Sequence, residues 1–187
     1  MTPTVAVLAG GRGSRIGGDK ALVLFTGEPL IEHSLRCAYG AGLDVCVVAK
    51  RDTRLPPMDV PIVREPDQPS HPLCGIVTAL RIHPAIIALP CDMPLLPASV
   101  LTRLAGSEAG VMLAAPGEPF PALYTRAVLP VLDRALVEQA SLRSVLAGLD
   151  ASALEGIDTR LLLSVNTRQD LAIAQRRLDA ERQAGGP

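Results

Sequence analysis

The chain has 187 residues, 48% of them hydrophobic and only 2% aromatic, which suits one domain with a core of Leu, Val, Ile and Ala. Eighteen basic against nineteen acidic residues leave a formal charge of −1, so no global field draws it to nucleic acid or an acidic membrane, and any anion site must be local. No apolar run reaches spanning length and no basic stretch precedes an apolar region at the N-terminus, so a cytoplasmic protein is expected, with no membrane or nucleic-acid partner.

Val5-Ala6-Val7-Leu8 reads as a buried strand that runs straight into a segment holding five glycines and three basic residues, Gly10 to Lys20. The glycines let backbone N–H groups approach an anion without side-chain obstruction, and Arg12, Arg15 and Lys20 add charge against a polyphosphate. Two familiar phosphate loops do not fit. A Walker loop needs Lys followed by Ser or Thr, whereas Ala21 follows Lys20; the G-x-G-x-x-G fingerprint begun at Gly11 and Gly13 meets Ile16 at its third glycine.

Pro29 opens a helix in which Leu30, Ile31, Leu35 and Ala38 recur at helical spacing, ending near Gly40 and Gly42. Val45 to Ala49 is a second buried strand and Pro61 to Val63 a short third. Leu73 to Ile82 reads as a helix, and Ala85 to Leu89 as a central strand stopped by Pro90. A helix from Pro97 to Ala105, a strand from Gly110 to Ala115 and an extended stretch from Pro119 to Tyr124 follow. Ala127 to Gln139 is predicted helical despite Pro130, Leu142 to Leu149 is a shorter helix, and Leu161 to Val165 is predicted as a last strand. Thr167, with Asp170 three residues on, forms a capping box for a final helix to about Arg182. This alternation is the pattern of a parallel sheet with helices on both faces, in a single domain over residues 1–183 with a disordered tail at 184–187. Cys37, Cys46, Cys74 and Cys91 show no C-x-x-C pair or metal-ligand spacing and read as reduced, buried small hydrophobes.

Asp92 follows the strand that ends at Leu89. In an open parallel sheet, ligands bind at the carboxyl ends of the strands, so Asp92 shares an edge with the Gly-rich loop. A carboxylate there, beside a polyphosphate, suits Mg²⁺, which takes one or two carboxylates and completes its shell with phosphate oxygens.

These residues resemble the molybdenum cofactor guanylyltransferases. Leu8-Ala9-Gly10-Gly11 through Arg15-Ile16-Gly17 and Asp19-Lys20 is similar to the family's L-A-G-G-x-x-x-R-M-G-x-D-K. Gly27 to Leu30 resembles its G-x-P-L, Pro72 to Gly75 its G-P-L-A-G, Pro90 to Pro94 its P-C-D-x-P, and Val165 to Leu171 its C-terminal N-x-N-T-x-x-D-L. The resemblance implies a three-layer, Rossmann-like nucleotidyltransferase fold with a mostly parallel central sheet. It implies transfer of GMP from GTP to the phosphate of molybdopterin, with release of pyrophosphate and Mg²⁺ as cofactor.

By the same resemblance, Arg15, Lys20 and Asp92 are the catalytic candidates, with Asp92 the metal ligand. Leu8, Ala9, Gly10, Gly11, Lys20, Leu73, Gly75 and Asp92 are candidates for binding the nucleotide, with a further contact at Ala49 or Lys50. Cytidylyltransferase relatives carry L-A-A-G where this chain has Gly10-Gly11, which favours GTP. The family's acidic residue after the third strand has two candidates here, Glu65 and Asp67, with Asp67 the preferred choice. On the acceptor side Asn166 matches, while Arg143 and Arg168 are further candidates. Three positions depart from the family: His71 stands for a glycine, Ser164 for the first asparagine of N-x-N, and Phe120 for a histidine. The competing readings are a molybdopterin cytidylyltransferase or sugar-phosphate nucleotidyltransferase, and a non-catalytic nucleotide-binding accessory protein. A monomer is expected, with other cofactor-biosynthesis proteins or molybdoenzyme chaperones as its protein partners.

Overall fold

The computed structural model describes residues 1–10, 16 and 18–184. The sequence expectations on Gly11, Arg12, Arg15 and the tail beyond Ala184 therefore lie outside the described residues.

The first strand, β1 (Thr4–Leu8), is followed after the loop by a 3₁₀ turn at Lys20–Leu22 and a small hairpin of β2 (Leu24–Phe25) and β3 (Glu28–Pro29). Thr26 and Gly27 both have positive φ (53° and 88°), the conformation a tight two-residue hairpin loop requires. Helix α1 (Leu30–Gly40), β4 (Val45–Ala49), β5 (Ile62–Arg64), α2 (Pro72–Ile82), β6 (Ala85–Pro90), α3 (Ala98–Ala105) and β7 (Val111–Ala115) follow in the expected order. Then come β8 (Glu118–Thr125), α4 (Leu129–Val137), α5 (Leu142–Gly148), β9 (Ser152–Ala153) and α6 (Arg168–Ala184).

Seven of the strands form one sheet in the order β5-β4-β1-β6-β8-β7-β9. Pairings are parallel except those made by β8, which runs antiparallel to both β6 and β7. The expected fold, a mostly parallel sheet covered on both faces, is borne out. Alternation along β1 shows how the layers divide. Val5 and Val7 pack with Ile31 and Leu35 of α1 and Leu101 and Leu104 of α3, whereas Ala6 faces Leu73, Ile76 and Leu80 of α2 and Leu132 of α4. A third cluster, of Ile16, Phe25, Leu30, Val165 and Ala174, joins α6 to the hairpin and the start of α1.

β1 lies between β4 and β6, with the chain passing first to β4 on one side and later to β6 on the other. The connections thus diverge at the carboxyl end of β1, and such a switch point opens a crevice there.

The strand expected at Leu161 to Val165 is not formed. Asp158 accepts a hydrogen bond from the Arg160 N–H and caps a 3₁₀ turn over Thr159–Leu162, and this local cap overrides the β-propensity of the leucines. The sheet instead gains β9, two small residues beside Met112 and Leu113 that carry no strand signal of their own. Pro130 falls within the first turn of α4, where its missing N–H costs nothing, and a 3₁₀ turn (Arg126–Val128) supplies the helical residues before it. The capping box of α6 forms as expected: Asp170 Oδ2 accepts from the Thr167 N–H at 2.8 Å, and Thr167 Oγ1 accepts from the Asp170 N–H at 3.1 Å. Among the described residues no helix is long and apolar enough to cross a membrane.

Candidate nucleotide-binding cleft

A cleft of about 510 Å³ opens over the carboxyl ends of β1, β4 and β6, with Leu8, Gly10, Lys20, Lys50, Glu65, Gly75, Asp92, Phe120, Ser164 and Asn166 in its lining. Its position follows from the strand order. β6 keeps pace with β1 one residue past its end, the Cys91 N–H donating to the Leu8 carbonyl at 3.2 Å, so Asp92 leaves the sheet beside the start of the Gly-rich loop.

Asp92 is only 4% exposed. One carboxylate oxygen, Oδ2, receives the Lys20 ammonium; the other, Oδ1, is buried with no hydrogen-bond partner among the described residues. A buried carboxylate oxygen with nothing to accept is costly unless a cation or donor completes it. Lys20 also donates to Asn166 Oδ1 at 2.7 Å, and Asn166 in turn donates from Nδ2 to the carbonyl and hydroxyl of Ser164, both at 3.2 Å. The Val165 N–H donates to the Asp92 carbonyl at 2.8 Å, which fastens this C-terminal stretch to the loop after β6. Ser164, the departure from the N-x-N pattern, thus serves as a hydroxyl acceptor that orients the remaining asparagine.

At the other end of the cleft lies Glu65. Its N–H donates to the Ala49 carbonyl at 3.1 Å, continuing the β4–β5 pairing, and its carboxylate lies in the space two glycines leave open. A Cβ at Gly10 would overlap Glu65 Oε1, and one at Gly75 would stand 3.1 Å from Oε2. Burial pushes the Glu65 carboxyl above its ordinary pKa, opposed by the positive charge of Lys50. Lys50, 8% exposed, donates from Nζ to the Asp67 carbonyl at 3.0 Å.

The structure places the two acids differently. Asp67 has an exposed side chain outside the cleft and contributes only its carbonyl to Lys50, whereas Glu65 forms part of the floor. One more strand-like hydrogen bond holds Glu65 in register, and the chain turns outward after it. Of the other candidates, Leu8, Gly10, Lys20, Gly75, Asp92 and Asn166 come together in the lining. Ala9 and Leu73 are buried in the two cores beside it, so each can offer the cleft only its backbone. Arg143 is an exposed residue of α5.

Two of the departures acquire a structural account. His71 has extended backbone (φ −136°, ψ 141°), a conformation that does not require glycine, and its Nδ1 accepts from the Leu73 N–H at 3.2 Å as the N-cap of α2. Phe120 lines the cleft and also packs against both cores. The four cysteines are free and buried, as expected, and burial raises Cys37 and Cys91 to about 12 and Cys46 to about 11.

A family model described as a MobA-like NTP transferase domain matches residues 5–155. The chain is 34% identical over 167 residues to a protein named molybdenum cofactor guanylyltransferase from Pseudomonas putida, covering 80% of this chain and 87% of that one. It is 36% identical over 165 residues to a protein of the same name from Pseudomonas fluorescens (strain Pf0-1), covering 81% and 82%. Among solved structures, the molybdopterin-guanine dinucleotide biosynthesis protein A of Archaeoglobus fulgidus superposes with a TM-score of 0.79 at 22% identity, over 95% of this chain and 99% of that one.

Proposed function

This chain belongs to the MobA-like NTP transferase family, and from that membership we propose that it transfers GMP from GTP to the terminal phosphate of molybdopterin, forming the guanine dinucleotide and releasing pyrophosphate. A phosphate oxygen of the acceptor forms a bond to the α-phosphorus of GTP, and the bond from that phosphorus to the α,β-bridging oxygen breaks. The nucleophile is already an anion, so no strong general base is needed. The protein's task is to align two polyanions and stabilise the charge that builds on the leaving pyrophosphate.

The observation that carries this reading is the Lys20–Asp92 pair in the cleft, with one Asp92 oxygen buried and without a hydrogen-bond partner among the described residues. A hard cation fits that oxygen. Asp92 would hold Mg²⁺, an ion that takes one or two carboxylates and completes its shell with phosphate oxygens and water; among the described residues no cluster of three His, Cys, Asp or Glu side chains forms a cage of its own. When bound, Mg²⁺ supplies charge neutralisation at the reacting phosphates.

Asp92 fixes the position of that charge. Lys20, in the cleft lining and paired with Oδ2 of Asp92, is the cation assigned to the charge of the leaving group. Arg15 is a second cation for the same task. Asn166 holds the Lys20 ammonium on the side toward the acceptor. Leu8, Gly10 and Gly75, with the backbones of Ala9 and Leu73 beside them, serve as the wall and floor for the nucleoside, Gly11 is assigned there on the family signature alone, and Glu65 offers two acceptor oxygens that suit the N1–H and 2-amino donors of guanine.

Incubating the purified protein with molybdopterin, Mg²⁺ and each nucleoside triphosphate in turn tests the proposal. The expected product is the guanine dinucleotide with one pyrophosphate released per transfer, identified by mass. Formation of the cytosine dinucleotide alone, or of no dinucleotide from an active preparation of molybdopterin, would overturn it.

A further inference from the structure

The cap of α6 is complete with two hydrogen bonds, one from the Thr167 N–H to the Asp170 carboxylate and one from the Asp170 N–H to the Thr167 hydroxyl oxygen. The same Asp170 oxygen, Oδ2, also accepts from the Asn166 N–H at 2.9 Å. The helix has no need of that further bond. α6 begins at Arg168, and Asn166 is an exposed residue ahead of the cap, where water is at hand for an unpaired N–H. Yet this bond is the largest of the influences that hold the Asp170 carboxyl below its ordinary pKa, and the charge of Lys20 is among the others. What the bond does is fix Asn166. Val165, directly before it, is fully buried, and Asp170 holds its backbone from behind. Ser164 holds its side chain, the carbonyl and hydroxyl each accepting from Nδ2 at 3.2 Å. An amide gripped through its nitrogen presents its oxygen on the other side, and there Asn166 Oδ1 accepts from the Lys20 ammonium at 2.7 Å.

We infer that Asp170 is a positioning residue for the transfer reaction, setting through Asn166 the place at which the Lys20 ammonium stands. The inference rests on the function proposed above for the task Lys20 performs, whereas the line of bonds from Asp170 to Lys20 belongs to the free protein. A lysine ammonium is a point charge with three donors on a flexible stem, so holding it at one place requires acceptors that are themselves fixed. Asp92 supplies one such acceptor and Asn166 the other. Without Asp170 the Asn166 backbone loses its tether, and Lys20 keeps only its carboxylate partner. α6 thereby gains a duty beyond packing: its first turn reaches the phosphate chemistry through two side chains, although Asp170 itself is absent from the lining of the cleft.

Helix capping and positioning separate by choice of variant. Thr167→Ala removes one half of the cap and leaves the Asn166 bond, Asp170→Ala removes both, and Asp170→Asn keeps an acceptor oxygen in the same place. Asp170→Ala is expected to lower kcat for dinucleotide formation about tenfold, while Thr167→Ala stays within about twofold of wild type and Asp170→Asn recovers most of the loss. In an Asn166→Ala background, Asp170→Ala is expected to add little further loss. The two Nδ2 proton resonances of Asn166, assigned by their disappearance in Asn166→Ala, give a readout that needs no substrate: they are expected to shift in Asp170→Ala and to hold in Thr167→Ala. An equal fall in kcat in Thr167→Ala, full additivity with Asn166→Ala, or Asn166 resonances unmoved in Asp170→Ala overturns the inference. Asp170→Ser, which keeps a polar first turn, carries the same comparisons should the alanine variant not fold. Resonances that shift as expected in a protein whose wild type makes no dinucleotide overturn the proposed function and leave the hold of Asp170 on Asn166 standing.

Discussion

Lys20 and Asp92, 72 residues apart in the chain, meet in an ion pair at the mouth of the cleft, with the Lys20 side chain 15% exposed and that of Asp92 6%. Neither residue is held there for packing: one comes from a 3₁₀ turn after the Gly-rich loop and the other from the residues just beyond β6. Substituting Lys20→Ala or Asp92→Ala is expected to reduce dinucleotide formation by on the order of 10², as when a charge contact to a transition state is removed. Asp92→Ala should also abolish Mn²⁺ binding in the presence of GTP, followed by electron paramagnetic resonance, while Lys20→Ala should retain it. Near-normal turnover in both variants would refute the assigned roles.

Glu65 is held in a folded environment that raises its pKa through burial, with Lys50 opposing. A carboxyl whose pKa is raised on folding contributes stability that is present at low pH and lost as pH rises through the folded-state value. At neutral pH the ionised side chain is thus a burden on the fold. Glu65→Gln is expected to raise the melting temperature at pH 7, to do so less at pH 4, and to raise the KM for GTP about tenfold with kcat changed far less. Loss of stability at pH 7 would contradict this account.

Gly75 lies inside α2, where alanine would ordinarily stabilise by up to about 1 kcal/mol. Here the added Cβ meets Glu65 Oε2 and Leu8 Cδ2, each at 3.1 Å. Gly75→Ala should therefore weaken GTP binding by displacing the Glu65 carboxylate. In a Glu65→Ala background most of that effect should vanish, so a double-mutant cycle on GTP affinity reads the coupling directly. Full additivity of the two changes would show that the glycine acts independently of the acid.

Asp170 anchors the start of α6. Hydrogen bonds from the Asn166 N–H, and from the side chain and N–H of Thr167, hold its carboxyl below the ordinary range, aided by the charge of Lys20. A depressed carboxyl pKa stabilises the fold above the unfolded-state value and loses that effect as pH falls through the folded one. Asp170→Ala is expected to cost about 1 kcal/mol at pH 7, as loss of a helix cap does, and much less near pH 3, by denaturant titration. Because Asn166 and Lys20 share this corner, the same variant should lower transfer activity more than it lowers stability.

What could be read from the sequence followed the strength of local patterning. Val5 to Leu8, Val45 to Ala49 and Ala85 to Leu89 are apolar runs that only a doubly covered sheet can bury, and each is a strand. Pro29 at one end and Gly40 and Gly42 at the other fixed the bounds of α1 closely. Leu161 to Val165 carried the same apolar signal but sits after the Asp158 cap, and it folded into a turn. Glu65 and Asp67 could not be separated by counting residues, because the chain leaves strand geometry between them and only the last paired residue points into the cleft. Lys50 was visible at the end of its strand, but its burial and its bond to the Asp67 carbonyl arise only when β4 and the loop after β5 lie side by side.

The bond from the Val165 N–H to the Asp92 carbonyl ties two parts of the chain with separate duties. On the proposed function, residues up to Asp92 meet the phosphates and the nucleoside, while Ser164 and Asn166, beyond the matched family region, line the same cleft from the C-terminal stretch. Exchange of that short stretch between relatives would alter the wall an acceptor meets while leaving Leu8, Gly10, Glu65 and Gly75 in place. On that function, donor choice and acceptor choice can diverge everywhere except at Lys20, which bonds both Asp92 and Asn166.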